Sequence, residues 1–136
     1  MSEILGRDKV IQLLQDGLSA ATADQTEITF GGARKSLTRF ANNYIHQNVN
    51  ESNTSIRVRS VFGRKIGSAS TNRLDASAIK ETIKMAEQLA RLQVEDPDFV
   101  SLPGPDANTG ELSYPEPDQA TYFSDPQLPA DWAGAI

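Results

Sequence analysis

Residues 54–71, TSIRVRSVFGRKIGSAST, carry the clearest strand pattern in the chain. In residues 54–62 apolar positions alternate with basic or mixed ones: Ile56, Val58 and Phe62 against Arg57, Arg59 and Val61. This alternation is typical of a strand with one apolar face and one mixed face. Gly63-Arg64 predicts a tight turn into a return strand, residues 65–71. The stretch therefore predicts an antiparallel β-hairpin.

Two helical patterns flank the strands. The first runs from about Asp8 to Ala21, and the second begins at Asp75, a residue type suited to a helix N-cap. Leu74 before this cap and Ile79 after it have the spacing of a hydrophobic staple. Each helix needs an apolar surface for its stripe. The stripes are Val10, Leu14, Leu18 and Ala21 in the first helix, and Ile79, Ile83, Ala86 and Ala90 in the second.

Three more short strands are predicted between the first helix and the hairpin, at residues 24–30, 35–40 and 44–49. Gly31-Gly32 is expected to end the first of them in a turn, and Asn42-Asn43 to form the next turn. With the two strands of the hairpin this makes about five short strands. The predicted fold class is α+β, an antiparallel sheet flanked by two helices that pack on one face.

The composition changes near Asp96. Residues 1–96 contain all 13 Lys and Arg and 11 of the 18 Asp and Glu, whereas residues 97–136 contain seven acids, no base and all 7 prolines. Proline removes a backbone donor, so regular structure is expected to stop near Asp96. We expect residues 1–96 to form the folded domain and residues 97–136 a Pro-rich acidic extended segment or a disordered one. Its candidate anchors are Phe99, Val100, Leu102, Tyr114, Tyr122 and Phe123.

The sequence also excludes several classes of protein. No stretch approaches the roughly 18 consecutive apolar residues of a membrane span, and the N-terminus lacks the pattern of a secretory signal. Cysteine is absent, so a disulfide, a thiolate nucleophile and a cysteine-bound zinc are excluded. We therefore expect a cytoplasmic protein that makes no contact with a membrane.

Candidate chemistry is sparse. His46 is the only histidine, so a metal site with two histidines is impossible, and no catalytic or metal-binding residue is predicted. Basic residues cluster around the predicted hairpin, but a pI of about 4.8 argues against nucleic acid as a partner. Arg57 and Arg59 share one side of their strand and are candidates to contact or steer a peptide. The alternative is that they form a solvated face or pair with acids of the tail.

Four runs suggest a family. The sequence resembles the first domain of the TldD/PmbA family, also known as modulators of DNA gyrase. The runs that carry this resemblance are residues 37–42, 45–47, 55–59 and 67–75, the last of them followed by a helix. The resemblance covers roughly residues 8–95. Residues 67–75, GSASTNRLD, are its most specific part and are nearer to PmbA-type than to TldD-type members.

This resemblance carries functional expectations. Family members are longer zinc-dependent peptidases that act on small or unfolded peptides and form homodimers or heterodimers. Their metal-binding histidines and a cysteine lie in a C-terminal domain without counterpart here, so the chain is expected to be truncated before it. Zinc is expected only in that missing domain or in the partner, and the parent chain itself could lack metal.

By resemblance, the chain would be a non-catalytic N-terminal domain that helps to enclose the peptide cleft and shapes subunit contacts. Its partners would be its own C-terminal domain, a homologous subunit and peptide substrates. The alternative is a stand-alone module that binds a peptide or nucleic acid through a sheet edge or the basic hairpin.

Overall fold

A computed structural model describes residues 5–42, 44–104, 118 and 120. In chain order the elements are α1 (Arg7–Leu18), β1 (Gln25–Ala41), β2 (Tyr44–Phe62), β3 (Lys65–Thr71) and α2 (Ala76–Leu92). The strands form one antiparallel sheet in the order β1-β2-β3. The predicted α+β class, with two helices and an antiparallel sheet, is confirmed.

The prediction of five short strands is wrong, because the structure has three strands in its described part. The sequence predicts separate strands for residues 24–30 and 35–40, but both segments belong to β1. It also predicts separate strands for residues 44–49 and 54–62, and both belong to β2. Gly31-Gly32 is extended backbone inside β1, where a β-carbon on Gly31 would lie 3.1 Å from Ser55 Oγ. Glycine permits a turn without requiring one. Pairing with a long neighbouring strand overrides the local turn preference.

The two predicted turns at the strand ends are seen at Asn42 and at Gly63-Arg64, while Asn43 lies outside the described residues. Asn42 follows β1 and has a φ of 53°, a left-handed conformation that asparagine tolerates. Gly63 has a φ of 61°, and Phe62 pairs with Lys65, so residues 63 and 64 form a two-residue hairpin turn. The antiparallel hairpin predicted for residues 54–71 is confirmed.

The described residues divide into two compact units. The first comprises residues 5–33 and 53–104, and its core lies between the sheet and the helices. Ile56 and Val58 of β2 pack there with three residues of α2: Ile79, Ile83 and Ala86. The apolar stripe predicted for α2 is therefore confirmed. Asp75 is the N-cap of this helix, and its carboxylate accepts a hydrogen bond from the Ala78 N–H at 2.9 Å.

Helix α1 differs from its prediction in length and in its buried face. It ends at Leu18, whereas Ala21 lies beyond the helix and packs against the core. Leu18 and Ile11 are about 40% exposed (41% and 40%), and Leu13 packs against the core instead. The helical periodicity therefore identified the helix, but the shift of its apolar face depends on how it lies against α2.

The second unit comprises the described residues of 34–52, which belong to β1, β2 and the turn at Asn42. Polar side chains join the two strands across this unit. Ser36 Oγ donates to Asn50 Oδ1 at 3.3 Å, and Arg39 Nη1 donates to Gln47 Oε1, also at 3.3 Å. These exposed bonds tie together two strands that lack a large core of their own.

Residues 93–104 contain no helix or strand. The N–H of Asp96 donates to the carbonyl of Arg64 at 3.0 Å, and the N–H of Leu102 donates to Gln25 Oε1 at 2.7 Å. Leu102 is buried, as expected of an anchor, whereas Val100 is 90% exposed and does not act as one. The predicted anchors Tyr114, Tyr122 and Phe123 lie outside the described residues.

Within the described ranges, no helix combines the length and the apolar character needed to cross a membrane.

Candidate functional site: the outer face of the sheet

The first unit has a sheet face that points away from the helices and carries polar side chains. Along β2, Ile56 and Val58 are buried in the core, and Arg57 and Arg59 alternate with them. Along β3, Ala69 packs against the core, so Ser68 and Ser70 point to the opposite side, where both are exposed. We call the polar part of this surface the outer face. Its members are Glu27, Arg57, Arg59, Ser68 and Ser70, and beyond Arg59 the next residue on the same side of β2, Val61, is buried.

The register of the hairpin sets the neighbours on the outer face. Arg59 lies opposite Ser68, and Arg57 lies opposite Ser70. Directly opposed residues of antiparallel strands have β-carbons about 5 Å apart. Each arginine therefore has a hydroxyl-bearing side chain beside it on β3.

Arg59 is held by a carboxylate of β1. Its Nε donates to Glu27 Oε1 at 3.0 Å, and its Nη2 donates to Glu27 Oε2 at 2.7 Å, which makes the pair bidentate. The hydrogen bonds from Arg59 lower the pKa of Glu27, against a smaller opposing effect of burial. The same bonds raise the pKa of Arg59. The net charge of this pair is zero at neutral pH.

Arg57 is different from Arg59. It is exposed, and within the described part of the chain it forms no ion pair. Its positive charge contributes, as a weak influence, to the lowered pKa of Glu27. The structure therefore places both predicted site residues on one face, and within the described ranges Arg59 is paired there while Arg57 is not. The acid that pairs with Arg59 in the described part of the chain is Glu27 of β1.

The other basic residues of the predicted cluster are Arg64, Lys65 and Arg73, and Arg91 near the end of α2 also lies close to the hairpin. Arg73 Nη2 lies 2.9 Å from Asp75 Oδ2, so its charge is paired. Arg91 of α2 stacks over the ring of Phe62, with its guanidinium carbon 4.0 Å from the ring centroid. These contacts hold the side chains of Arg73 and Arg91 against the domain.

Metal ligands do not gather in the part of the chain that the structure describes. No group of three or more histidine, aspartate or glutamate residues there could hold an ion. His46 lies exposed on β2, in the second unit.

Sequence reasoning missed one buried carboxylate. Glu87 of α2 accepts hydrogen bonds from the N–H of Thr22 at 2.6 Å and of Ala23 at 3.1 Å, and from Thr22 Oγ1 at 2.8 Å. The available signal was its position, because Glu87 follows Ile83 by four residues and so lies on the apolar stripe of the helix. A charged residue in such a stripe indicates a buried partner. Glu87 holds the segment between α1 and β1 and is structural.

These features define a small α+β domain whose sheet is covered by helices on one face and carries exposed polar side chains on part of the other, where Val61 is buried. Residues 27–90 match the family model of PmbA/TldA metallopeptidase domain 1, and this segment belongs to the TldD/PmbA family as its N-terminal domain. The family inferred by resemblance is confirmed.

The fold is also similar to that of a solved structure. The crystal structure of TldE from Thermococcus kodakarensis superposes with a TM-score of 0.75 and 22% sequence identity, over 93% of this chain. The chain spans 28% of the length of that TldE chain. Among curated proteins, none matches this sequence.

Proposed function

We propose that the chain is the non-catalytic N-terminal domain of a cytoplasmic TldD/PmbA-like peptidase, where it helps to enclose the cleft that receives small or unfolded peptides. The family match of residues 27–90 supports the class of parent protein. The observation that carries the proposed role is the outer face, where the described residues include an exposed arginine without an ion pair and exposed hydroxyl groups on a regular sheet.

The sheet also offers its edges. In the described part of the chain, β1 and β3 are the two edge strands of the sheet. Each has backbone groups on the side away from β2 that can pair with an extended peptide. Affinity from main-chain hydrogen bonds demands little of the peptide sequence. This mode of binding suits a peptidase that acts on unfolded segments.

In this proposal the chemistry belongs to other parts of the assembly. Zinc would be held by a C-terminal domain of the parent or by a homologous partner subunit, in a homodimer or heterodimer. The domain described here would contribute to the walls of the cleft and to subunit contacts.

The full-length parent, reconstituted with its partner, provides the test. An Arg57→Ser/Arg59→Ser variant is compared with wild type in the cleavage of unfolded peptides and in its oligomeric state. A Lys84→Ser variant is the control, because Lys84 is an exposed cation on α2. We expect the double variant to change kcat/KM for peptides while the control does not.

Two other results have a definite meaning. Loss of the dimer together with all activity would assign the domain to assembly. Equal activity of wild type and the double variant on every peptide would contradict a role of the outer face in the cleft. A parent gene that encodes no metallopeptidase domain would instead favour the stand-alone module.

A further inference from the structure

We propose that an extended acidic peptide adds to the free edge of β3, and that Arg57, rather than Arg59, binds one of its carboxylates. This inference rests on the proposed function and deepens it, because it names the edge, the residue and the class of peptide. Three observations on the described residues carry it: the sheet order, the register of the hairpin and the pairing of Arg59.

The first observation is the position of β3 in the sheet. In the described part of the chain β3 pairs with β2 alone, so its other side is an edge. Residues 65–71 are extended throughout and pair regularly with β2, with no bulge in the register. A regular edge strand presents alternating N–H and C=O groups to an added strand.

The second observation concerns the path from β2 to that edge. A strand added to β3 would lie about 10 Å from β2, which is twice the usual spacing between neighbouring strands. The outer-face residue between Arg57 and the edge is Ser70, whose side chain is small. The long side chain of Arg57 can therefore reach over β3 toward a Glu of the added strand. The Ser70 hydroxyl is a further donor to the same carboxylate.

The third observation is the distribution of charge over the outer face. Glu27 compensates Arg59 through two hydrogen bonds, so that pair offers no net charge to a ligand. Among the described residues, Arg57 is the outer-face cation that forms no ion pair. In the first unit, the outer-face acid of β1 is Glu27, whose charge is already paired with Arg59, so this part of the β1 edge offers no unpaired cation to a carboxylate. An acidic strand is therefore favoured at β3 over β1.

The test measures equilibrium binding of two unfolded peptides that differ only in Glu against Gln. The protein is the full-length parent with its partner, as wild type, Arg57→Ser or Arg59→Ser, and Lys84→Ser is again the charge control. We expect Arg57→Ser to weaken binding of the Glu peptide about two- to fivefold, the size expected of an exposed ion pair. Binding of the Gln peptide should stay unchanged, and high salt should erase the difference between the two peptides.

A second measurement locates the peptide. A photo-reactive group on the Glu peptide should crosslink to residues 65–71 rather than to residues 25–41, as identified by mass spectrometry. N-methylation of alternate peptide nitrogens should weaken binding of both peptides, because it removes donors to the edge strand.

The outcomes separate the inference from the function on which it rests. If Arg57→Ser keeps the preference for Glu, or if crosslinks map to β1, the inference is overturned while peptide binding by the domain stands. If neither peptide crosslinks anywhere within residues 5–104, the proposed function fails as well. A loss of preference in Arg59→Ser that exceeds the loss in Arg57→Ser would also overturn the inference.

Discussion

Gly67 of β3 lies so close to α2 that a β-carbon on it would stand 2.8 Å from the Cα of Ala90 and would overlap the carbonyl oxygen of Ala86. Both contacts involve the backbone of the helix, so no side-chain rotation could relieve them. The small side chains of Ala86 and Ala90 allow the same close approach from the helix side, and both are fully buried. The backbone of helix α2 therefore packs directly against the sheet at Gly67.

We predict that Gly67→Ala destabilises the domain by about 1 to 3 kcal/mol, the usual cost of overpacking a well-packed core. The helix must move away from β3 to admit the methyl group. Urea denaturation would measure the change in free energy of unfolding. Gly104→Ala is the matched control, since a β-carbon there meets nothing within 4 Å. Equal stability of the two variants would contradict the seating of α2 at Gly67.

The role of Gly67 shows what the sequence could and could not predict. Periodicity identified both helices and the hairpin of β2 and β3, because these patterns depend on which face is buried. Gly67 belongs to the run that resembles the TldD/PmbA family most specifically, yet its physical role depends on where α2 lies. Packing between elements far apart in sequence leaves no local pattern. The full length of strands β1 and β2 could not be predicted for the same reason. Pairing between these strands outweighs the local preference of Gly31-Gly32 for a turn.

The candidate site was predictable to a similar extent. Alternation placed Arg57 and Arg59 on one side of their strand, and the structure has them on the outer face. The ion pair of Arg59 was not predictable, because Glu27 lies on a different strand and the register between the strands decides which residues meet. The sequence therefore predicted which surface carries the two arginines, but it gave no reason to expect an ion pair at Arg59 and none at Arg57.

Glu87 should be important for stability although it lies outside the outer face. We predict that Glu87→Ala destabilises the domain by about 2 to 3 kcal/mol, because the Thr22 and Ala23 N–H groups would lose their acceptor in a largely buried place. Chemical denaturation would measure the loss. Glu81→Ala is the control, since Glu81 is exposed on the same helix. A loss no greater than that of the control would show that water replaces the carboxylate.

Asp75 predicts a pH dependence at the start of α2. Hydrogen bonds from the Ser77 hydroxyl and from the Ala78 N–H, together with the charge of Arg73, lower the pKa of Asp75 to about 2. Because the folded pKa lies below the ordinary value of 3.8, the stabilisation is present above that value and is lost as the pH falls toward about 2.

An Asp75→Asn variant retains an acceptor at the N-cap but does not titrate. We expect the difference in thermal midpoint between wild type and this variant to be constant near neutral pH and to shrink between about pH 4 and pH 2. Thermal unfolding followed by circular dichroism at a series of pH values would measure it. Glu27 has a lowered pKa in both proteins, so its contribution cancels in the comparison. A difference that is independent of pH throughout would contradict the lowered pKa of Asp75.

The ion pair on the outer face leads to a prediction about peptide preference. Glu27→Gln removes the charge that compensates Arg59, so the outer face would carry two uncompensated arginines in place of one. In the full-length parent with its partner, we expect this variant to increase the preference for acidic over neutral unfolded peptides. The cost in stability should stay below about 1 kcal/mol, because both side chains are roughly one-third exposed (Arg59 38%, Glu27 33%) and solvent screens the pair.

Glu81→Gln on α2 makes the same change in net charge away from the outer face and should leave the preference unaltered. Equilibrium binding of matched Glu and Gln peptides at low and high salt measures both variants. If Glu27→Gln and Glu81→Gln raise the preference equally, the preference reflects overall charge rather than the outer face. If only Glu27→Gln raises it, and salt abolishes the gain, then the bond between Glu27 and Arg59 sets how strongly this surface attracts acidic chains.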